Sequence, residues 1–205
     1  MPICHACEQD LPTQHESTCE QCGLLSPGSA LCGQCMKSPP AFDATYALYQ
    51  YQHPVDALLH RYKYSNQLAI ADILAQLIIQ RKLDASLPDL LIPMPLHPLR
   101  LRERGFNQAV EIARIVGRHL QIQLDIQSCK RLTFAAPQVT LPLKQRVKNM
   151  RNAFICDRKL DGFKVALLDD VMTTGASLNA LAHAVKKAGA ARVECWVVAR
   201  TQPHH

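Results

Sequence analysis

The stretch Val165–Ser177, VALLDDVMTTGAS, constrains this chain more than any other part of it. Four apolar residues run into two adjacent aspartates, and a Thr-Thr-Gly turn then leads into a helix-like stretch. An unbroken apolar run reads as a strand buried on both faces, the habit of parallel sheets. Adjacent carboxylates repel, so a buried strand that ends on two of them calls for a ligand that uses them. In open parallel sheets the ligand crevice lies at the carboxyl ends of the strands. Asp169 and Asp170 are therefore expected at a crevice mouth, just past a strand that ends at Leu168. Backbone N–H groups at the helix start, with the hydroxyls of Thr173, Thr174 and Ser177, can surround a phosphate. Gly175, followed by Ala176, lets the backbone approach it closely. A ribose 5-phosphate has both hydroxyls for the carboxylates and a phosphate for the turn.

The rest of the chain after residue 42 repeats this alternation. VDALLHRYKY and LAIADILAQLIIQRKL carry apolar residues at helical spacing, with Ser65-Asn66 between them. LLIPMP (90–95) reads as a short buried strand, GFNQAVEIARIVGRHL as an amphipathic helix and LQIQLDI as a weaker strand. ASLNALAHAVKKAGA reads as a helix and RVECWVVAR as another buried strand. The pattern predicts an α/β fold: a parallel sheet with helices on both faces. Residues 132–151 lack periodicity, are rich in Lys and Arg, and read as a loop.

Cysteine is segregated. Six of the nine lie in the first 35 residues as three C-x-x-C pairs, Cys4/Cys7, Cys19/Cys22 and Cys32/Cys35. Two such pairs complete a tetrahedral zinc site, and the compact spacing from Cys19 to Cys35 favours Cys19, Cys22, Cys32 and Cys35 as ligands. Cys4 and Cys7 are the second choice, as replacements for one pair or with His5 or His15. A disulfide framework would need an oxidising compartment, and MPICHACEQD lacks the basic start and apolar run of an export signal. The cytoplasm is the expected compartment. A closed four-cysteine site has no open position for catalysis, so its expected role is structural or as a partner surface. Residues 1–41 are expected to form this zinc-ribbon module, SPPAFDA (38–44) a hinge, and residues 42–205 the main domain. Cys129, Cys156 and Cys195 are scattered, the last two in apolar settings that predict inert core thiols.

Charge follows the same division. Residues 1–41 hold one lysine against four acids, net −3, whereas the whole chain is +6, leaving +9 on residues 42–205. A basic body favours phosphorylated metabolites or nucleic acid, and equally fits a solvated surface. No window approaches the roughly 18 uncharged apolar residues of a membrane span.

IPMPLHPLRLRERGFNQA adds a second cationic wall. Pro95, Leu96 and His97 should lie opposite the ribose, followed by Arg100, Arg102 and Arg104, whose forks suit phosphate oxygens. Asn107 and Gln108 then start a helix whose positive end also favours anions. In 144–151, Lys144, Arg146, Lys148 and Arg151 fit a flap over pyrophosphate, a track for single-stranded nucleic acid, or a solvated loop. Lys63 and Tyr64 are candidates for a hood beside the site, or ordinary exposed helix residues.

The acid pair and T-T-G-A-S turn resemble the phosphoribosyl-pyrophosphate signature of type I phosphoribosyltransferases. With C-E-Q-C-G…L-C-G-Q-C, P-P-A-F-D, L-L-H-R-Y-K-Y, I-P-M-P-L and R-E-R-G-F-N-Q in order, nearly the whole chain resembles the ComF/GntX family. That family is expected to join an N-terminal zinc ribbon to a type I phosphoribosyltransferase fold. Family members often carry four C-x-x-C pairs where this chain has three. The resemblance implies that Asp169 and Asp170 hold the ribose 2- and 3-hydroxyls and that residues 173–177 hold the 5-phosphate. It assigns the pyrophosphate loop to Pro95, Leu96 and His97, with Arg102 and Arg104 behind it, and implies Mg²⁺ with the ligand. It also implies a role in DNA uptake or natural transformation, with single-stranded DNA or a DNA-uptake helicase as partners. A metabolic phosphoribosyltransferase acting on a base and a non-catalytic, zinc-dependent interaction module are the alternatives.

Overall fold

The computed structural model of the chain describes residues 4–14, 17–28, 30–64, 69–82, 86–133 and 153–203. Five parallel strands form one sheet: β1 (Ala44–Gln50), β2 (Leu90–Pro93), β3 (Gln123–Leu124), β6 (Lys164–Met172) and β7 (Arg192–Arg200). Their order is β1-β7-β6-β2-β3, so the strand with the acid pair is central. Its apolar run, Val165–Leu168, is buried, as are all of β2 and most of β7. A strand covered on both faces needs such a run, which is why these segments read so clearly.

Helices cover both faces. The steps from β1 to β2 and from β2 to β3 run in one direction along the sheet, and the step from β6 to β7 runs in the other. Right-handed crossovers then put α4 (Ala69–Lys82) and α6 (Gln108–Leu120) on one face and α7 (Ala176–Lys187) on the opposite one. α4 packs on α6, which turns Ile112, Ala113, Val116 and Leu120 inward at helical spacing. The first crossover also contains α3 (Val55–Tyr64), and α5 (Pro98–Arg104) lies between β2 and α6. Two short helices, α1 (His5–Gln9) and α2 (Gly33–Lys37), belong to the cysteine-rich end.

Four features differ from the reading of the sequence. First, β6 does not stop at Leu168. β2 supplies partners only as far as Pro93, opposite Leu168, but β7 continues to pair with β6 until Met172 meets Arg200. The acid pair therefore lies within the strand, on an overhang past the end of β2. Second, only Gln123–Leu124 of LQIQLDI is strand, because Asp125 Oδ1 accepts the amides of Gln127 and Ser128 and turns the chain. Third, Pro98–Arg104 is helical. Pro98 occupies the first turn, His97 Nδ1 caps Leu99 N–H at 3.3 Å, and Gly105 ends the helix at φ 78°. Fourth, β4 (Cys129–Arg131) and β5 (Phe154–Cys156) form an antiparallel ribbon in which Cys129 faces Cys156, so these two cysteines are neighbours.

Candidate functional site

The overhang of β6 sets the site. Successive side chains leave a strand on opposite sides. Asp169 lines a small cavity of about 70 Å³ with Thr173, Thr174, Gly175, Ala176 and Ser177. Asp170 is buried and meets Lys63 of α3 at 2.8 Å, Nζ to Oδ2. Asp169 Oδ1 accepts the backbone amide of Asp170 at 2.9 Å. Burial and the neighbouring Asp170 carboxylate push Asp169 up to about 8, against the pull of that amide and of Lys63. The two acids thus differ: Asp170 has a lysine at ion-pair distance, and Asp169 is a carboxyl that holds its proton near neutrality.

Gly175 is the hinge of the turn. It precedes α7 at φ 77°, and a Cβ there would stand 2.8 Å from Met172 Cε. Thr174 Oγ1 accepts the amide of Ala176 at 3.3 Å. Three hydroxyl residues, the start of α7 and one carboxyl residue thus line a single small space, an arrangement suited to a phosphate monoester on a polyol.

Pro95, Leu96 and His97, predicted to lie opposite the ribose, follow β2 and are not among the residues that line this cavity. Met94 N–H still bonds Leu168 C=O at 2.8 Å, and the chain then leaves the sheet through Pro95, Leu96 and His97. Asn107 ties this loop to α6: its Nδ2 donates to Met94 C=O at 3.0 Å, and its Oδ1 accepts from Ala109 and Val110. Arg104 donates to Gln108 Oε1 at 3.1 Å, and Arg100 pairs with Glu103. On a helix Arg100 and Arg104 share a face and Arg102 does not, so the three arginines that alternate in the sequence separate in space. Arg102 is exposed. Lys144, Arg146, Lys148 and Arg151 lie outside the described residues, as does the side chain of Tyr64. A larger cavity, about 310 Å³ between Thr13, Thr18, Thr45 and Arg81, contains none of the predicted residues.

Over 206 residues the chain is 33% identical to DNA utilization protein YhgH of Shigella flexneri, covering 97% of this chain and 90% of that protein. Competence protein F of Haemophilus influenzae is 32% identical over 208 residues, with the same coverage. The chain belongs to the ComF/GntX family. No family model matches it. Among solved structures, adenine phosphoribosyltransferase from Leishmania tarentolae resembles it with a TM-score of 0.48 and 10% identity, covering 77% of this chain and 91% of that one.

The ComF/GntX chain gathers its N-terminal cysteines as their spacing predicts. The Sγ atoms of Cys19, Cys22, Cys32 and Cys35 lie within 4.8 Å of one another, with Cys22 and Cys32 at 3.6 Å. A tetrahedral zinc–thiolate site needs sulfurs about 3.8 Å apart, so the donor set can hold a metal such as zinc. Gly23 N–H bonds Cys19 C=O at 2.8 Å to close the first knuckle, and the second is the first turn of α2. Burial raises the Cys19 thiol, and the amides of Cys32, Cys22 and Gln21 more than offset it, to about 7. Burial pushes Cys22 up to about 11 and Cys35 higher still, so four clustered thiolates call for a cation. Cys4, which precedes α1 as its N-cap, and Cys7 within it are exposed and, among the described residues, join no such cluster. Among the described residues no helix is long and apolar enough to cross a membrane.

Two arginines escaped the sequence reading. Arg131 of β4 lies over the Phe154 ring at 5.5 Å, interacts with the charge of Asp169, and buries an Nε that has no hydrogen-bond partner among the described residues. Nothing local in the sequence distinguishes it from Lys130 before it. Arg200 is 3% exposed at the end of β7. An arginine closing an apolar strand was a signal: such a charge must have a buried partner.

Proposed function

We propose that the site binds phosphoribosyl pyrophosphate and that the protein acts in cytoplasmic handling of imported DNA. The overhang of β6 carries this reading. It puts Asp169, next to Asp170 in the chain, in the lining of the cavity of residues 173–177, which supports a carboxylate and a phosphate cradle serving one ligand. Asp169 and Asp170 accept ribose hydroxyls, and Thr173, Thr174, Gly175, Ala176 and Ser177 hold the 5-phosphate. The pyrophosphate, with Mg²⁺, lies towards Pro95, Leu96 and His97, with Arg104 and the exposed Arg102 behind them. Zn²⁺ occupies the four-cysteine site and supplies its folding energy. Pentosyl transfer is the chemistry such a site supports. The bond from C1 to pyrophosphate breaks as positive charge builds on the ring, its electron pair leaves with the pyrophosphate that the arginines stabilise, and an acceptor nucleophile such as a nucleobase or amine bonds to C1.

The names of the relatives, a DNA utilization protein and a competence protein, support the DNA role. So does the charge of residues 42–205, which favours polyanions such as single-stranded DNA. Calorimetric titration of phosphoribosyl pyrophosphate with Mg²⁺ tests the pocket. The wild type should bind saturably, and Asp169→Asn/Asp170→Asn should not. A folded, zinc-loaded wild type that binds nothing would refute the reading.

A further inference from the structure

We infer that Arg200 is a positioning residue for the Thr173–Gly175 turn, and that through it metal occupancy of the four-cysteine site sets the affinity of the turn for its ligand. The inference rests on reading that turn as a phosphate site. Arg200 pairs with Met172 across β6 and β7, and among the described residues no carboxylate lies within ion-pair distance of it. Backbone carbonyls hold its guanidinium instead. Nε donates to Cys22 C=O at 2.9 Å. The terminal nitrogen donates to Met172 C=O at 3.0 Å, to Thr173 C=O and to Thr201 C=O at 3.1 Å. One rigid planar group thus bonds a metal-ligand residue on one side and the two residues that open the turn on the other.

The peptide plane gives this contact its consequence. In a trans peptide the C=O and the following N–H point in opposite directions. Met172 C=O also accepts the amide of Thr201 at 3.0 Å, so the peptide that Arg200 itself orients is Thr173–Thr174: with Thr173 C=O drawn to the guanidinium, the Thr174 amide is directed away from it. A phosphate in the cavity those residues line needs such donors. Cys22 C=O holds the other side only while its knuckle holds its shape. Gln21 adds a second link, donating to Phe42 C=O at 3.1 Å, and the Phe42 ring reaches within 3.9 Å of the Cβ position of Gly175. Four thiolates around one divalent ion also leave a net negative site, which compensates a buried guanidinium that has no carboxylate.

Coupling between two sites is reciprocal: if metal improves ligand binding, ligand must improve metal retention by the same factor. The full-length zinc-loaded protein is titrated to equilibrium with a zinc-selective chromogenic chelator, with and without saturating phosphoribosyl pyrophosphate and Mg²⁺. Ligand should raise the chelator concentration that removes half of the zinc about tenfold, within the usual range of such couplings. Arg200→Lys keeps the charge but loses the fork. It should retain zinc, bind the ligand about tenfold more weakly and lose the shift. If the wild type binds the ligand yet yields its zinc at an unchanged chelator concentration, the coupling is overturned and the ligand reading stands. If the zinc-loaded wild type binds no ligand, the ligand reading fails and the coupling with it. Should Arg200→Lys fail to fold, the wild-type titrations decide alone.

Discussion

Lys63 Nζ lies 2.8 Å from Asp170 Oδ2, with the two side chains 22% and 9% exposed. This ion pair brings a helix from the first crossover onto the overhang of the central strand and gives one member of the acid pair a counter-charge. Breaking a buried pair from one side leaves an uncompensated charge. Lys63→Met should therefore destabilise the protein by about 2–3 kcal/mol in urea unfolding. Adding Asp170→Asn should recover part of that loss. A strictly additive double mutant would show that the two residues do not interact.

Asp169 makes both stability and binding depend on pH. Its carboxyl is raised to about 8 in the folded chain, well above its unfolded value of 3.8. Between these values the folded state holds a proton that the unfolded state has released, so stability falls as pH rises from about 4 to about 8. The melting temperature of the wild type should fall relative to Asp169→Asn across that window. Hydroxyl recognition uses the ionised carboxylate, so affinity for phosphoribosyl pyrophosphate should rise about tenfold per pH unit up to about 8 and then level off. A flat binding profile would remove Asp169 from the hydroxyl contacts.

How much of this was legible depends on the range of the interaction. The buried strand, the Thr-Thr-Gly turn and the four cysteines are local patterns, fixed by burial, by φ at Gly175 and by knuckle spacing, and the sequence reveals them directly. Lys63 and Asp170 are far apart in sequence, and no periodicity joins them. The overhang of β6 depends on where its two neighbours end, which no single strand records. Arg200 touches Cys22 and Thr173 only because β7 lies between the module and the turn. The helix Pro98–Arg104 was legible but passed over: Pro98 and Gly105 bracket it.

Metal content should separate the cysteines sharply. Cys22→Ser and Cys35→Ser remove buried ligands, so each should lose bound zinc and unfold the N-terminal end, because so small a module has little core beyond its cysteines. Cys4→Ser/Cys7→Ser changes an exposed pair outside the cluster. It should keep the zinc stoichiometry of the wild type, measured by atomic emission on the purified protein.

Gly175→Ala tests the turn through its backbone. A side chain at φ 77° costs about 1–2 kcal/mol, and the added Cβ must also displace Met172 Cε, the end of a buried side chain. The variant should melt earlier and bind ribose 5-phosphate at least tenfold more weakly, since a 1.4 kcal/mol loss at the cradle alone is about tenfold. Normal affinity would mean that the turn does not contact the phosphate.

The helical form of Pro98–Arg104 makes the arginines unequal. Arg104 lies beside α6 on Gln108, next to the Asn107 side chain that holds the loop leaving β2. Arg102 projects from another face and is exposed. Arg104→Ala should weaken phosphoribosyl pyrophosphate by about tenfold to a hundredfold, the worth of a charge-assisted contact, and leave ribose 5-phosphate unchanged. Arg102→Ala should weaken phosphoribosyl pyrophosphate by less than about threefold, as screening of an exposed charge allows. Calorimetry with both ligands on both variants distinguishes the cases. Equal losses for the two ligands with Arg104→Ala would mean that this arginine supports the fold of the loop, and a large loss with Arg102→Ala would mean that α5 rearranges when the ligand binds.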